Sequence, residues 1–219
     1  MMRASLVTVT PPAVEPVSLS DAKDYLRISG CASSADDALI TRLIVAARRW
    51  VEGATEQRLI TQTVRQTHDR WPGRPERLTL PDEGRISDFL QSNARWVELL
   101  ANPVQSITSV TVYADDDTPT VWGASNYRLA SAQGGRFRLA PRANSAWPSV
   151  TRQTDGVEIV YVTGYGATGA DVPAPIREAM LRLVAYWSEN RGDAVVGAVG
   201  ADTREAVSAL LEEYRFFSL

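Results

Sequence analysis

One cysteine and one histidine are all the soft-metal and imidazole chemistry in these 219 residues. Cys31 alone excludes an internal disulfide and a cysteine-based zinc site. It falls between two helical patterns, where a small apolar side chain suffices. No apolar run reaches the roughly 18–20 residues that a bilayer span requires. The opening MMRASLVTVTPPAVEPV lacks a sustained apolar stretch and meets prolines early, so it does not read as a signal peptide. Basic excess is missing too: 23 Lys+Arg against 26 Asp+Glu leave a formal net charge of −3. A dedicated nucleic-acid binder would show the opposite balance. DNA passing close by is compatible with it.

Catalytic motifs are equally scarce. There is no Walker loop, no G-x-S-x-G, no H-E-x-x-H and no C-x-x-C. His68 stands beside Asp69, a pairing that can orient a general base, but no recognisable motif supplies a nucleophile. A surface or strand-end histidine is the plainer reading. Asp115, Asp116 and Asp117 could offer carboxylate oxygens to a hard cation. Their spacing lacks the alternating ligands and closing glutamate of an EF-hand, and a solvated hairpin tip explains them better. A metal-dependent hydrolase built on these aspartates and His68 is the remotest of the readings considered. No catalytic, metal or cofactor residue is assigned, and the chain is not expected to be an enzyme.

One glycine motif is present and misleading. Gly164-Tyr165-Gly166-Ala167-Thr168-Gly169 is a literal G-x-G-x-x-G after a strand-like run. A dinucleotide fold needs those glycines to open directly into a helix whose N-terminus holds the pyrophosphate. Pro173 and Pro175 force an extended approach instead. The next helix starts six residues late, and no second parallel strand with its acidic end follows.

A composition of 44% hydrophobic and 22% charged residues supports a globular core. The length suits one domain, or a helical domain with a β-rich insertion. After an extended, proline-punctuated arm over 1–17, Ser18-Leu19-Ser20-Asp21 forms a capping box for a helix over 18–28, burying Leu19, Ala22 and Leu26, with Tyr25 a further candidate. Ser34-Ala35-Asp36-Asp37 opens a second over 35–54. Its stripe is Leu39, Leu43, Ala47, Trp50 and Ala54, broadened by Ile40, Ile44 and Val51. Ile176, Met180, Leu183, Val184 and Trp187 share one face of a helix over 175–190, entered at Pro175. Asp202 caps a last helix over 203–214, with Val207, Leu210, Leu211 and Tyr214 facing inward.

Between these helices the period changes to two. Thr61–Thr67, Arg77–Leu80, Trp96–Leu100, Ile107–Tyr113, Tyr127–Ala130, Arg136–Leu139 and Val157–Thr163 are the candidate strands. Turn-rich breaks separate them, which predicts an antiparallel sheet or small sandwich. The fold class is α+β: about four helices with an antiparallel β-rich insertion in the middle. The domain plan is an arm (1–17), a helical core (18–58 and 172–214), an insertion (59–171) and a tail (215–219).

Some features ask for a partner. Arg42, Arg48 and Arg49 lie on the second helix, and Arg136 and Arg138 alternate with Phe137. Phosphate contact is conceivable at both sites, but solvated faces or salt bridges to a neighbouring subunit are commoner. GDAVVGAVGA over 192–201 is glycine-rich yet apolar, and the tail carries Phe216 and Phe217 next to each other. Exposed apolar segments often mark interaction surfaces.

Several blocks, in order, carry a resemblance. They begin with PVSL at 16–19, DAKDYLR at 21–27, AARRWVE at 46–52 and LITQT at 59–63. NPVQSITSV at 102–110, YRL at 127–129 and WP at 147–148 follow. GYG at 164–166, VPAPIR at 172–177 and WSENR at 187–191 complete the series. Together they resemble the head–tail connector (neck adaptor) proteins of long-tailed phages and of phage-derived gene transfer agents. The resemblance implies a non-enzymatic ring of about twelve copies under the portal, linking it to stopper and tail-terminator proteins. DNA would pass through the channel without specific binding, and no membrane is involved. Assembly would take place in the bacterial cytoplasm, with the product in the particle neck. It also implies portal contacts by Arg215, Phe216, Phe217 and Leu219. Ring contacts are expected from Val195, Val196, Val199, Arg48 and Arg49. The alternative is a nucleic-acid-associated packaging or regulatory factor using the arginine-rich second helix.

Overall fold

Two hydrophobic cores organise the chain, and each is built by a different periodicity. The structure, a computed structural model, describes residues 4–28, 34–71, 96–131, 135–190 and 200–215. It divides into a helical unit, Pro11–Gln62 with Thr163–Leu219, and a β unit, Met1–Thr10 with Thr63–Val162. The class is α+β, as the patterning predicts.

In the helical unit, α1 spans Leu19–Tyr25, α2 Ser34–Thr55, α3 Ala174–Glu189 and α4 Ala201–Leu211. The Ser18 hydroxyl accepts from the Asp21 N–H at 3.1 Å, and Asp21 accepts from the Ser18 N–H at 3.3 Å, which closes the expected capping box. α1 stops before the expected Ile28. Leu26 caps it, and Arg27 takes a left-handed φ of 56°. α4 begins earlier than expected, with Gly200 as N-cap, so Asp202 sits in the first turn and meets the helix dipole instead of capping. A 3-10 turn over Glu212–Tyr214 extends it.

The α3 stripe is buried as predicted: Ile176, Met180, Leu183, Val184 and Trp187 all face the core. On α2 the buried arc is rotated from the expected one. Ile40, Leu43, Ile44, Ala47 and Val51 are buried, whereas Leu39, Trp50 and Ala54 pack only at its margin. Branched aliphatic side chains fill the centre, and the bulky indole borders solvent.

The end of α2 is tied down by a charge. Glu52 is buried, and its Oε2 meets Arg48 Nη1 at 3.1 Å and Arg58 Nη1 at 3.7 Å. Its Oε1 accepts from the Leu59 N–H at 3.1 Å and from Gln62 Nε2 at 3.4 Å. Arg48 also donates from Nε to Glu15 at 2.7 Å. Every buried charge here has an opposite partner, the condition under which such groups are tolerated. Behind this segment lies the glycine turn. Gly164 has φ +125°, and a Cβ there would stand 2.6 Å from the Ile60 carbonyl oxygen. Only glycine fits. Thr61 N–H donates to Gly166 O at 2.8 Å and Tyr165 N–H to Leu59 O at 3.1 Å. The turn runs into a short 3-10 turn, Gly169–Asp171, and α3 starts only at Ala174. The dinucleotide geometry is therefore absent, for the reason the prolines give.

The β unit contains two sheets. Strand β1 is Ala4–Thr10, β2 Gln62–His68, β3 Val97–Glu98 and β4 Val104–Tyr113. Then come β5 Pro119–Val121, β6 Tyr127–Ser131, β7 Phe137–Pro141 and β8 Val157–Thr163. The orders are β1-β2-β8-β4-β5 and β3-β7-β6. β1–β2, β4–β5, β3–β7 and β6–β7 pair antiparallel. Two strands escape the sequence reading: β5, and β1 inside the expected free arm. The candidate Arg77–Leu80 lies outside the described residues.

Gln66 joins the sheets. Its Oε1 accepts from the Leu100 N–H at 2.9 Å and the Tyr161 hydroxyl at 3.0 Å. Its Nε2 donates to Glu98 O at 2.9 Å and to His68 Nε2 at 2.8 Å. A buried amide with all these bonds made is stabilising rather than costly. In the core of the same unit Trp71, Trp122 and Trp147 gather, with ring centroids 4.3 Å apart for Trp71–Trp147 and 5.3 Å for Trp122–Trp147.

Leu183→Ala should cost about 2–5 kcal/mol of unfolding free energy, as truncations in a tight core do. Trp50→Ala, at the margin, should cost less, about 1–2 kcal/mol. Glu52→Ala strands Arg48 without its buried partner and should cost about 3–5 kcal/mol. Urea denaturation followed by circular dichroism measures all three. A Trp50 variant less stable than the Leu183 variant would reverse the assigned packing of α2.

Candidate interaction surfaces

The arginines of α2 part ways. Arg48 is only 8% exposed and is held by Glu15 and Glu52 inside the helical unit. A ring contact through Arg48 is hard to reconcile with that burial. Arg49, one residue and about 100° further round the helix, is exposed. Of the expected portal residues, Arg215 is exposed and follows the 3-10 turn, with its N–H on Glu212 O at 3.3 Å. Phe216, Phe217 and Leu219 lie outside the described residues, as do Val195, Val196 and Val199.

The point from which the tail departs is fixed. Gln57 Nε2 donates to Tyr214 O at 2.7 Å, and the Tyr165 hydroxyl donates to Gln57 Oε1. Burial, with the neighbouring Tyr214, pushes the Tyr165 hydroxyl up to about 12. It stays a neutral donor at any working pH. The tyrosine of the glycine turn thus serves the C-terminal end of α4 through Gln57.

A basic face was only half visible in the sequence. On the β3-β7-β6 sheet, Val97, Leu139 and Leu129 stand in register on the inner face. Side chains alternate along strands, so Glu98, Arg138 and Ala130 share the other face. Arg128 lies there too, opposite Ala140, and Arg142 continues the ladder with its N–H on Asn126 O at 2.8 Å. Arg136 pairs with Glu98 at 2.8 Å. The Arg138 guanidinium lies 4.5 Å from the centroid of Trp96, which is 43% exposed. Arg138 Nε is buried with no hydrogen-bond partner. Arg128 and Arg142 are exposed. Among the described residues, these four guanidiniums share the face with one carboxylate, Glu98. The signal that could have found this face was the stretch RLASAQGGRFRLAPR, whose two halves pair antiparallel and bring Arg128 to the same face as Arg138 of β7.

His68 takes the strand-end place that the sequence reading offered, not the surface one. It is strand-terminal but buried, bound to Gln66, and burial lowers its pKa despite the opposing Asp69 carboxylate. Accepting from the Gln66 amide requires a neutral ring nitrogen. Asp115, Asp116 and Asp117 sit at the exposed turn between β4 and β5. The Asp116 carboxylate accepts from the Thr118 N–H at 3.1 Å, which lowers its pKa. Asp117 is 79% exposed and 3.5 Å from Arg152. Among the described residues no cluster of three or more His, Cys, Asp or Glu side chains could hold a metal. Among the same residues no helix is long and apolar enough to cross a membrane.

No protein-family model matches the chain, and no curated protein matches it. Solved structures do. A chain from the neck of an empty gene transfer agent (GTA) particle, computed with C6 symmetry, is 23% identical at a TM-score of 0.73. The likeness covers 98% of this chain and 97% of that one. A chain from the virion of a native GTA particle is 24% identical at 0.73, over 98% and 96%. A chain from the neck of a native GTA particle, computed with C12 symmetry, is 23% identical at 0.64, over 100% and 97%. This chain shares their fold along its whole length.

The burial of His68 makes a pH prediction. Its folded pKa lies below the ordinary 6.5, so the folded state binds its proton less readily than the unfolded state. Stability from this group is complete above pH 6.5 and falls as pH drops through 6.5 towards the folded pKa, below which the loss levels off. Thermal melts between pH 7.5 and 4.5 should show a decline that His68→Gln reduces. An unchanged slope in that variant would assign the acid sensitivity elsewhere.

Proposed function

We propose that this chain is a head–tail adaptor: a structural neck component of a phage or gene transfer agent particle. In this reading it forms a ring of about twelve copies beneath the portal and connects the portal to stopper and tail-terminator proteins. DNA threads the channel without sequence-specific contact. The ring is assembled in the bacterial cytoplasm, with no enzymatic step. The supporting observation is the likeness of fold, end to end, to chains of GTA necks and virions. The alternative, a nucleic-acid factor using the α2 arginines, loses support because Arg48 is spent inside the helical unit.

Arg215, Phe216, Phe217 and Leu219 are assigned to the portal, and Val195, Val196, Val199 and Arg49 to neighbouring copies. The tail follows an α4 whose inward residues, Val207 and Leu211, are already buried. Two adjacent phenylalanines cannot both join that stripe. Aromatic anchors commonly carry interface energy, about 2 kcal/mol or more each.

Deleting residues 215–219 should leave the melting curve intact and yield DNA-filled, tailless heads by electron microscopy. Fully tailed, transducing or infectious particles from that strain would remove the tail from the portal contact. The free protein should run largely as a monomer on sizing chromatography at micromolar concentration, with closure waiting for the portal. Cryo-electron microscopy of particles carrying a tagged copy tests the reading as a whole, and a tag located away from the neck overturns it.

A further inference from the structure

A closed ring needs two different, complementary patches on one chain, because each copy meets its neighbours head to tail. The β unit carries such a pair. The first is the outer face of β3-β7-β6, where Arg128, Arg138 and Arg142 stand with one carboxylate among the described residues, Glu98, already held by Arg136. Arg138 is braced over the exposed Trp96, which holds the guanidinium flat and limits the entropy lost on binding. The second is the turn between β4 and β5, where Asp115, Asp116 and Asp117 are all exposed. Thr118 and Arg152 restrain two of these carboxylates without covering them.

We infer that the arginine face of one copy receives the acidic β4–β5 turn of the next copy, as a ring contact. This deepens the adaptor reading and rests on it. The occupant is a second copy because the chain itself supplies the matching charge on an exposed turn. Guanidinium–carboxylate pairs can be bidentate and so fix register as well as attract. Exposed pairs of this kind are individually weak and salt-screened. Such a contact closes a ring on a template and leaves the free protein dispersed. Duplex DNA is the competing occupant of an arginine face, and the test separates the two.

Two variants reverse the charges. The first carries Arg128→Glu and Arg138→Glu; the second carries Asp115→Arg and Asp116→Arg. Each is checked for wild-type melting, and all these positions are exposed or at the surface of a strand, away from the buried core. Particles are produced with wild type, with each variant alone, and with both together. Either variant alone should lower the tailed-particle yield about tenfold or more, since like charges then face each other. Both together should restore it, because each variant's altered patch fits the other's. A folded single variant assembling like wild type, or a mixture no better than either alone, overturns the contact. Salt-dependent binding of wild type to a fluorescent duplex, lost in the arginine variant and not rescued by mixing, would assign the face to phosphate instead. Wild type missing from the neck would defeat the adaptor reading itself, an outcome distinct from all of these.

Discussion

The Glu52 carboxylate is the constraint on which the helical unit depends. A buried acid without partners would cost several kcal/mol or become protonated. Here it gathers Arg48, Arg58, the Leu59 N–H and Gln62 around itself. Those groups come from α2 and from the segment that leaves it, so one charge sets the path of residues 58–62. The glycine turn then closes on the same segment from behind, with Gly164 against the Ile60 backbone. Polar bonds fix the direction of the chain, and the apolar arc of α2 and the stripe of α3 supply most of the burial. Arg48 carries the network on to Glu15, which ties in the segment before α1.

The helices were legible because their burial repeats at 3.6 residues. The α3 stripe is read correctly to the residue, and the Ser18 box is a local interaction that sequence encodes completely. The arc of α2 was misjudged by part of a turn. Trp50 weighs heavily in any hydrophobic pattern, yet a large ring fits a margin better than a centre lined by Ile40, Ala47 and Val51. The strand β1 was hidden for a physical reason. It is exposed on both faces apart from Leu6, so no alternation betrays it, and Pro11 and Pro12 beside it suggest a loose arm. Its order comes from pairing with β2, a non-local contact that no window of sequence contains. The three-residue β5 is too short to show a period.

The candidate surfaces were legible in proportion to how locally they are encoded. Arg48 and Arg49 are neighbours in sequence, but the helix turns one inward and the other out. The inward one had a signal, since Glu52 follows it at i+4 and Ile44 and Val51 flank it on the wheel. Arg136 and Arg138 could be seen to alternate. That Arg128 and Arg142 join them depends on a hairpin register fixed by side chains on the opposite, buried face. The inward-facing Val97, Leu129 and Leu139 therefore position charges on the opposite face of their strands.

Charge type also bears on how such a protein could assemble. Of its 23 basic side chains only Lys23 is a lysine. An ammonium attracts a carboxylate from any direction, whereas a planar guanidinium rewards one orientation and can stack, as Arg138 does on Trp96. In the proposed ring that difference favours correct register over tight association. Weak oriented contacts between copies become effective only when a template holds the copies side by side and raises their local concentration. A strongly apolar interface would close rings in free solution, away from the portal. In that ring, a slightly acidic chain with Arg128, Arg136, Arg138 and Arg142 on one sheet face would keep copies apart by net charge and aligned by local charge. The same economy suits a channel wall, since a uniformly basic lining would hold a passing polyanion by counterion release.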